Sequence, residues 1–124
     1  MNDKLQALRE IGQSIWLDFI RRSFLLQGGL ADLVNQGLGG VTSNPSIFEK
    51  AIAQSDDYDD QLETLSEQMM TPARIYEAMV IRDIQSAADT LRTVYERTDG
   101  ADGYVSLEVD PNLAHDTQGT IEEA

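Results

Sequence analysis

Asp18, Thr42, Asn44 and Glu108 are the residues whose types and spacing suit chemistry. Each falls near the C-terminal end of a short apolar segment: SIWLDFI at 14–20, GLGGVTS at 37–43 and YVSLEVDPNL at 104–113. Read as strands, these segments place alternate side chains on opposite faces. Ile15, Leu17 and Phe19 then form one row, and Trp16, Asp18 and Ile20 the other. Val41 and Ser43 oppose Thr42 and Asn44. Val105, Leu107 and Val109 oppose Tyr104, Ser106 and Glu108. One row of each strand is mostly apolar, and the second carries polar groups toward the strand end. Two carboxylates and an amide converging there suit general acid/base work on a hydroxylated substrate. Each residue also has a plainer reading. Asp18 can be a paired structural acid, Glu108 a solvated strand end, and Thr42 and Asn44 a turn and a helix cap.

The elements that must position these residues are read from periodicity and punctuation. Residues 3–11 read as a short helix stopped by Gly12, and residues 21–36 as a helix striped by Phe24, Leu25, Leu30, Leu33 and Val34. Gly28–Gly29 weakens the middle of the second. Asn44 and Pro45 make a cap-and-first-turn signal before Ile47, Phe48, Ala51 and Ile52. The acidic run SDDYDD at 55–60 reads as a solvated loop or helix start. After Thr71–Pro72, the residues Tyr76, Val80, Ile84, Ala87, Leu91 and Val94 mark one face of a helix of about 25 residues, roughly 38 Å long. DGADG is a turn, and the tail opens as a helix. Strands alternating with helices predict an α/β fold with parallel strands, as one domain over residues 1–124. In a (β/α)8 barrel the inward rows meet at the C-terminal mouth, where active sites sit.

Composition narrows the partners. Nine basic residues against 22 acidic ones leave a net charge of −13. Nucleic acid and anionic membranes call for basic surface, so neither is an expected partner. There is no cysteine, which removes disulfides and thiolate ligands. His115, the only histidine, has no evident co-ligand, and SDDYDDQLE lacks the sixth-position glycine of a calcium loop. GLGG precedes a strand where a dinucleotide site needs it to follow one. Nothing here marks a metal site or a dinucleotide site. Lys4 and Lys50, the only lysines, sit where nothing desolvates an amine for nucleophilic use. The start MNDKLQALRE has no apolar leader core, and no stretch nears the ~18 apolar residues of a membrane span, so a cytoplasmic protein is expected.

SIWLDFIRRSFL, GLGGVTSNPSIFEKAI with SDDYD after it, and GADGYVSLEVDPNLAHDT together resemble the N-terminal part of transaldolase, in the bacterial branch that also occurs fused to phosphoglucose isomerase. The resemblance runs from about Gln13 to Ala124. It implies a (β/α)8 barrel of which this chain carries about three strands with their helices. It implies transfer of a dihydroxyacetone unit from sedoheptulose 7-phosphate to glyceraldehyde 3-phosphate in the pentose phosphate pathway, through a lysine Schiff base and without a cofactor. Asp18 would act as acid/base in carbon–carbon cleavage, Glu108 with Thr42 and a water as proton shuttle, and Asn44 with Ser43 in substrate binding. The Schiff-base lysine and the phosphate-gripping residues would lie beyond Ala124, so the isolated chain is expected to be inactive. An open sheet of this size exposes pairing edges and an apolar row. The expected remedies are the remainder of the barrel, a complementing chain, or a homo-oligomer with exchanged segments. The alternatives are fructose 6-phosphate aldolase activity in a full-length form, and a non-catalytic fragment or assembly module.

Overall fold

A computed structural model describes residues 2–124. Helix α1 (Asp3–Glu10) is capped by Asn2, whose side chain accepts from the Lys4 N–H. Strand β1 (Trp16–Asp18) comes next, then helices α2 (Arg22–Leu26) and α3 (Gly29–Gln36), strand β2 (Gly40–Thr42), and helices α4 (Pro45–Ala53), α5 (Asp59–Glu67) and α6 (Pro72–Arg97). A 3-10 turn at Pro111–Leu113 and helix α7 (Thr117–Glu123) complete the chain. The fold is α/β, with β1 and β2 parallel and Trp16, Leu17 and Asp18 in register with Gly40, Val41 and Thr42. Among the described residues no helix is long and apolar enough to cross a membrane.

The helix expected over 21–36 is two helices. Gly28, at φ +83°, sits in the left-handed region and turns the chain between α2 and α3. A side chain at Gly29 would lie 2.3 Å from the Phe24 ring, so the glycine pair also lets the two helices approach. The cap readings at Asn44–Pro45 and Thr71–Pro72 match: each side chain accepts an N–H of its helix's first turn, from Ile47 and Arg74. The stripe on α6 buries Val80, Ala87, Leu91 and Val94 against Leu30, Val34, Val41 and Phe48. At its N-terminal end the buried face is Ile75 and Met79, packed on Ala51 and Tyr58, while Tyr76 stays half exposed.

The strands are shorter than expected. In the first, Leu17 packs against the core, but Ile15 and Phe19 are 40% and 39% exposed. Ile20, expected on the Asp18 row, is fully buried. The alternation stops because the strand ends at Asp18 and the turn into α2 redirects Phe19 and Ile20. The third segment pairs with β2 only through Val105 opposite Val41. The Val41 N–H donates to the Tyr104 carbonyl (3.0 Å) and the Ser106 N–H to the Val41 carbonyl (2.9 Å). Past Ser106 the strand expected over 104–113 is not formed. On one side β2 has already left for α4, and Pro111 offers no N–H to a ladder.

Candidate active site

Register brings Asp18 and Thr42 together. They are the last residues of β1 and β2 and face each other across the ladder. Side chains on neighbouring parallel strands in register share a face, so the Thr42 hydroxyl reaches Asp18 and donates to its Oδ1 at 2.7 Å. Oδ2 has no partner among the described residues. Two residues on, Asn44 caps α4: its Oδ1 accepts the Ile47 N–H at 2.9 Å, which orients the amide and leaves the NH2 as donor.

Ser43 falls on the opposite row and is buried. Its N–H donates to Ser106 Oγ (3.0 Å), and its hydroxyl donates to the Ser106 carbonyl (2.6 Å). The expected substrate-binding hydroxyl is therefore committed to the joint between β2 and the third segment. Glu108 is exposed and is not joined to Asp18 or Thr42. It lines an open cleft of about 840 Å³ together with Asn44, Glu49, Arg74, Glu77 and Leu107, a cleft that Asp18 and Thr42 do not line. The cause is local. Without a strand beyond Ser106, the alternation that would carry Glu108 to the Asp18 side is lost.

The two lysines are exposed, Lys4 on α1 and Lys50 on α4. Among the described residues no group of three or more His, Cys, Asp or Glu side chains could hold a metal ion.

A polar assembly behind Asp18 is absent from the sequence reading. Arg22, four residues after Asp18, is buried at the start of α2. Its Nε meets Asp83 Oδ1 of α6 at 2.9 Å, its Nη2 donates to the Met79 carbonyl (3.2 Å), and its guanidinium lies 4.4 Å from the Tyr58 ring centre. The Tyr58 hydroxyl donates to Asp83 Oδ2 (2.7 Å) and accepts the Arg22 N–H (3.2 Å). Burial, then the Asp83 carboxylate, pushes the Tyr58 phenol well above its ordinary range. Beside it, Arg21 Nε and Asp57 Oδ2 pair at 2.9 Å, and the Ser23 N–H donates to the same oxygen at 3.0 Å. The Arg21 guanidinium, then Ser23, holds the Asp57 carboxyl well below the usual carboxylate range. SDDYDD is thus no mere solvated run: Asp57 and Tyr58 point inward. The adjacent pair Arg21–Arg22 at the end of an apolar strand was the available signal, since a buried arginine requires an acid.

The family model for Transaldolase/Fructose-6-phosphate aldolase matches residues 15–124. The chain belongs to that family. Transaldolase 2 of a Nostoc species is 50% identical over 121 residues, covering 97% of this chain and 32% of that protein. Transaldolase of Neisseria meningitidis is 47% identical over 120 residues, 97% of this chain and 34% of that one. Transaldolase of Thermobifida fusca is 50% identical over 125 residues, 100% and 34%. The chain spans about a third of the length of the curated relatives it matches. In this member of the transaldolase/fructose-6-phosphate aldolase family, the matched region contains Asp18, Thr42, Asn44 and Glu108 as well as the Arg21–Asp57 and Arg22–Asp83–Tyr58 contacts.

Proposed function

We propose that this chain supplies the first strands of a (β/α)8 barrel and the acid/base half of a transaldolase site, the Schiff-base lysine coming from the remainder of the barrel or a complementing chain. The observation that carries the reading is the Thr42–Asp18 hydrogen bond at the paired C-terminal ends of β1 and β2. Coverage of only a third of the relatives' length supports the need for further strands. So does the exposure of Ile15, Phe19 and Leu107.

The chemistry depends on which oxygens are engaged. Thr42 occupies Asp18 Oδ1, which leaves Oδ2, without a partner among the described residues, to serve the substrate. As the carbon–carbon bond of the ketose imine breaks, Oδ2 takes the proton of the adjacent hydroxyl. The released aldehyde departs, and the bonding electron pair passes into the imine system as an enamine. When the acceptor aldehyde arrives the enamine forms the new bond, and the same carboxylic acid returns the proton to the new alkoxide. Thr42 holds the carboxylate in one orientation throughout. The Asn44 NH2 donates to a substrate hydroxyl, and Ser43 acts through Ser106 by fixing the strand end that carries Asn44. Glu108, with Thr42 and a water, moves protons during imine formation and hydrolysis once an added strand orders residues 107–110. The substrates are sedoheptulose 7-phosphate and glyceraldehyde 3-phosphate of the pentose phosphate pathway, in the cytoplasm and without a cofactor. Because the matching family model joins both activities, fructose 6-phosphate aldolase chemistry is the second reading.

Borohydride reduction in the presence of the ketose phosphate tests this. The 124-residue chain alone should trap no dihydroxyacetone unit. The chain continued by a transaldolase remainder should trap one on a lysine outside this sequence. An adduct mapped to Lys4 or Lys50, or no adduct in either form, overturns the reading. Release of free dihydroxyacetone without acceptor selects the aldolase.

A further inference from the structure

Just after Asp18, the residues Arg21 to Ser23, which lead into and open α2, are fastened to segments far along the chain. Arg21 pairs with Asp57, and the Ser23 N–H binds the same carboxylate. The Arg22 N–H binds the Tyr58 hydroxyl, and the Arg22 guanidinium binds Asp83 and the Met79 carbonyl. Asp57 and Tyr58 lie on the loop between α4 and α5, and α4 begins at the end of β2. The segment beyond β1 is therefore tied to the far end of the helix that follows β2, and to α6. At the opposite end of the sheet a separate assembly, Ser14 and Trp16 on Asp102, joins the start of β1 to the turn before the third segment.

We propose that Asp57 and Tyr58 are positioning residues for Asp18: by clamping the turn after β1 to the α4–α5 loop, they hold the Asp18 carboxylate against Thr42. The ion pair and the shared tyrosine hydroxyl contribute differently. Asp57 receives three donors from this segment, Arg21 Nε and Nη2 and the Ser23 N–H, and fixes its course. Tyr58 bridges a backbone N–H of the turn to the buried Asp83 and fixes its depth. A strand of three residues has little register strength of its own. The orientation of its last side chain therefore depends on what anchors the next few residues. The functional meaning rests on the acid/base reading of Asp18. The geometric content does not.

The test is nuclear magnetic resonance on the 124-residue chain. The three-bond Hα–Hβ couplings of Asp18 report whether its side chain keeps one rotamer, and amide exchange of Ser23 reports the clamp. Asp57→Asn should lower Ser23 protection about tenfold or more, as expected for losing a charged acceptor. It should also average the Asp18 couplings. Tyr58→Phe should average them too. Arg21→Lys, which keeps the charge opposite Asp57, should retain one rotamer. Asp102→Asn, at the far end of the sheet, should lower the melting temperature and leave the Asp18 couplings unchanged. If Tyr58→Phe does not fold, Asp57→Asn at the rim of the assembly decides. Lowered melting temperatures with unaltered Asp18 couplings overturn the proposal. So does a wild-type chain whose Asp18 is already rotamer-averaged. A transaldolase form whose Asp18→Asn variant still cleaves at the normal rate would instead undo the acid/base reading and leave the coupling result standing.

Discussion

The Asp18–Thr42 pair and Glu108 are chemically similar candidates with opposite fates. The first sits where two strands run in register and the segment beyond β1 is anchored to the α4–α5 loop and to α6. The second sits five residues after a glycine turn, on a segment that pairs through one residue and then leaves the sheet. Backbone pairing and an anchored following segment are what give a strand-end side chain a defined direction. Asp18 has both supports and Glu108 has neither.

Breaking the anchor should have the largest effect on the first region. Asp83→Ala strands the buried Arg22 guanidinium and the Tyr58 hydroxyl, and should cost about 3–5 kcal/mol in chemical denaturation. The comparison fails if the loss is no greater than for a surface acid such as Asp89. Next comes chemistry. In a transaldolase form, Asp18→Asn should slow carbon–carbon cleavage about 10²- to 10⁴-fold while leaving Schiff-base formation near normal, as single-turnover kinetics would show. Unaltered cleavage in a stable variant removes Asp18 from the mechanism.

Gly40→Ala should cost about 1–3 kcal/mol. The added methyl would lie 2.5 Å from the Trp16 ring and 2.7 Å from the Tyr104 carbonyl, prying the third segment from β2. Trp16 is the only tryptophan, so a shift in its emission reads the same event. A smaller effect separates the two regions by pH. The Asp57 pKa is depressed in the folded state, so its contribution is full above the unfolded value of about 4 and is lost as pH falls through the lower folded value. The melting-temperature gap between wild type and Asp57→Asn should be constant from about pH 6 to 8 and narrow in strong acid. A gap that widens below about pH 4 contradicts the sign. The smallest effect belongs to Glu108→Gln, within about 0.5 kcal/mol of wild type, because the carboxylate is exposed and has no hydrogen-bond or ion-pair partner among the described residues. A larger loss would mean that it is anchored after all.

Legibility in the sequence tracked the range of the interactions involved. Asn44–Pro45 and Thr71–Pro72 were readable because a cap needs only residues three apart. The α6 stripe and the Thr42/Ser43 alternation were readable because they are periodic. The break at Gly28, the end of β1 at Asp18 and the fading of the third strand after Ser106 depend on which neighbours are present, and periodicity carries no record of neighbours. An acidic run such as the one holding Asp57 and Tyr58 reads as solvated because most such runs are. The partners of these two residues lie 25 to 36 residues away.

The sequence by itself determined the family, the α/β alternation, the capped helix starts and the polar character of the strand ends, since each is written in residue type and local spacing. The tertiary structure alone decided that Thr42 reaches Asp18 across 24 residues of chain, that Ser43 turns to Ser106, that Arg22 finds Asp83 61 residues on, and that Glu108 faces a different cleft. Such contacts arise from register and burial. Ladder pairing sets which side chains share a face, and the cost of leaving a charge unpaired in the core selects its partner.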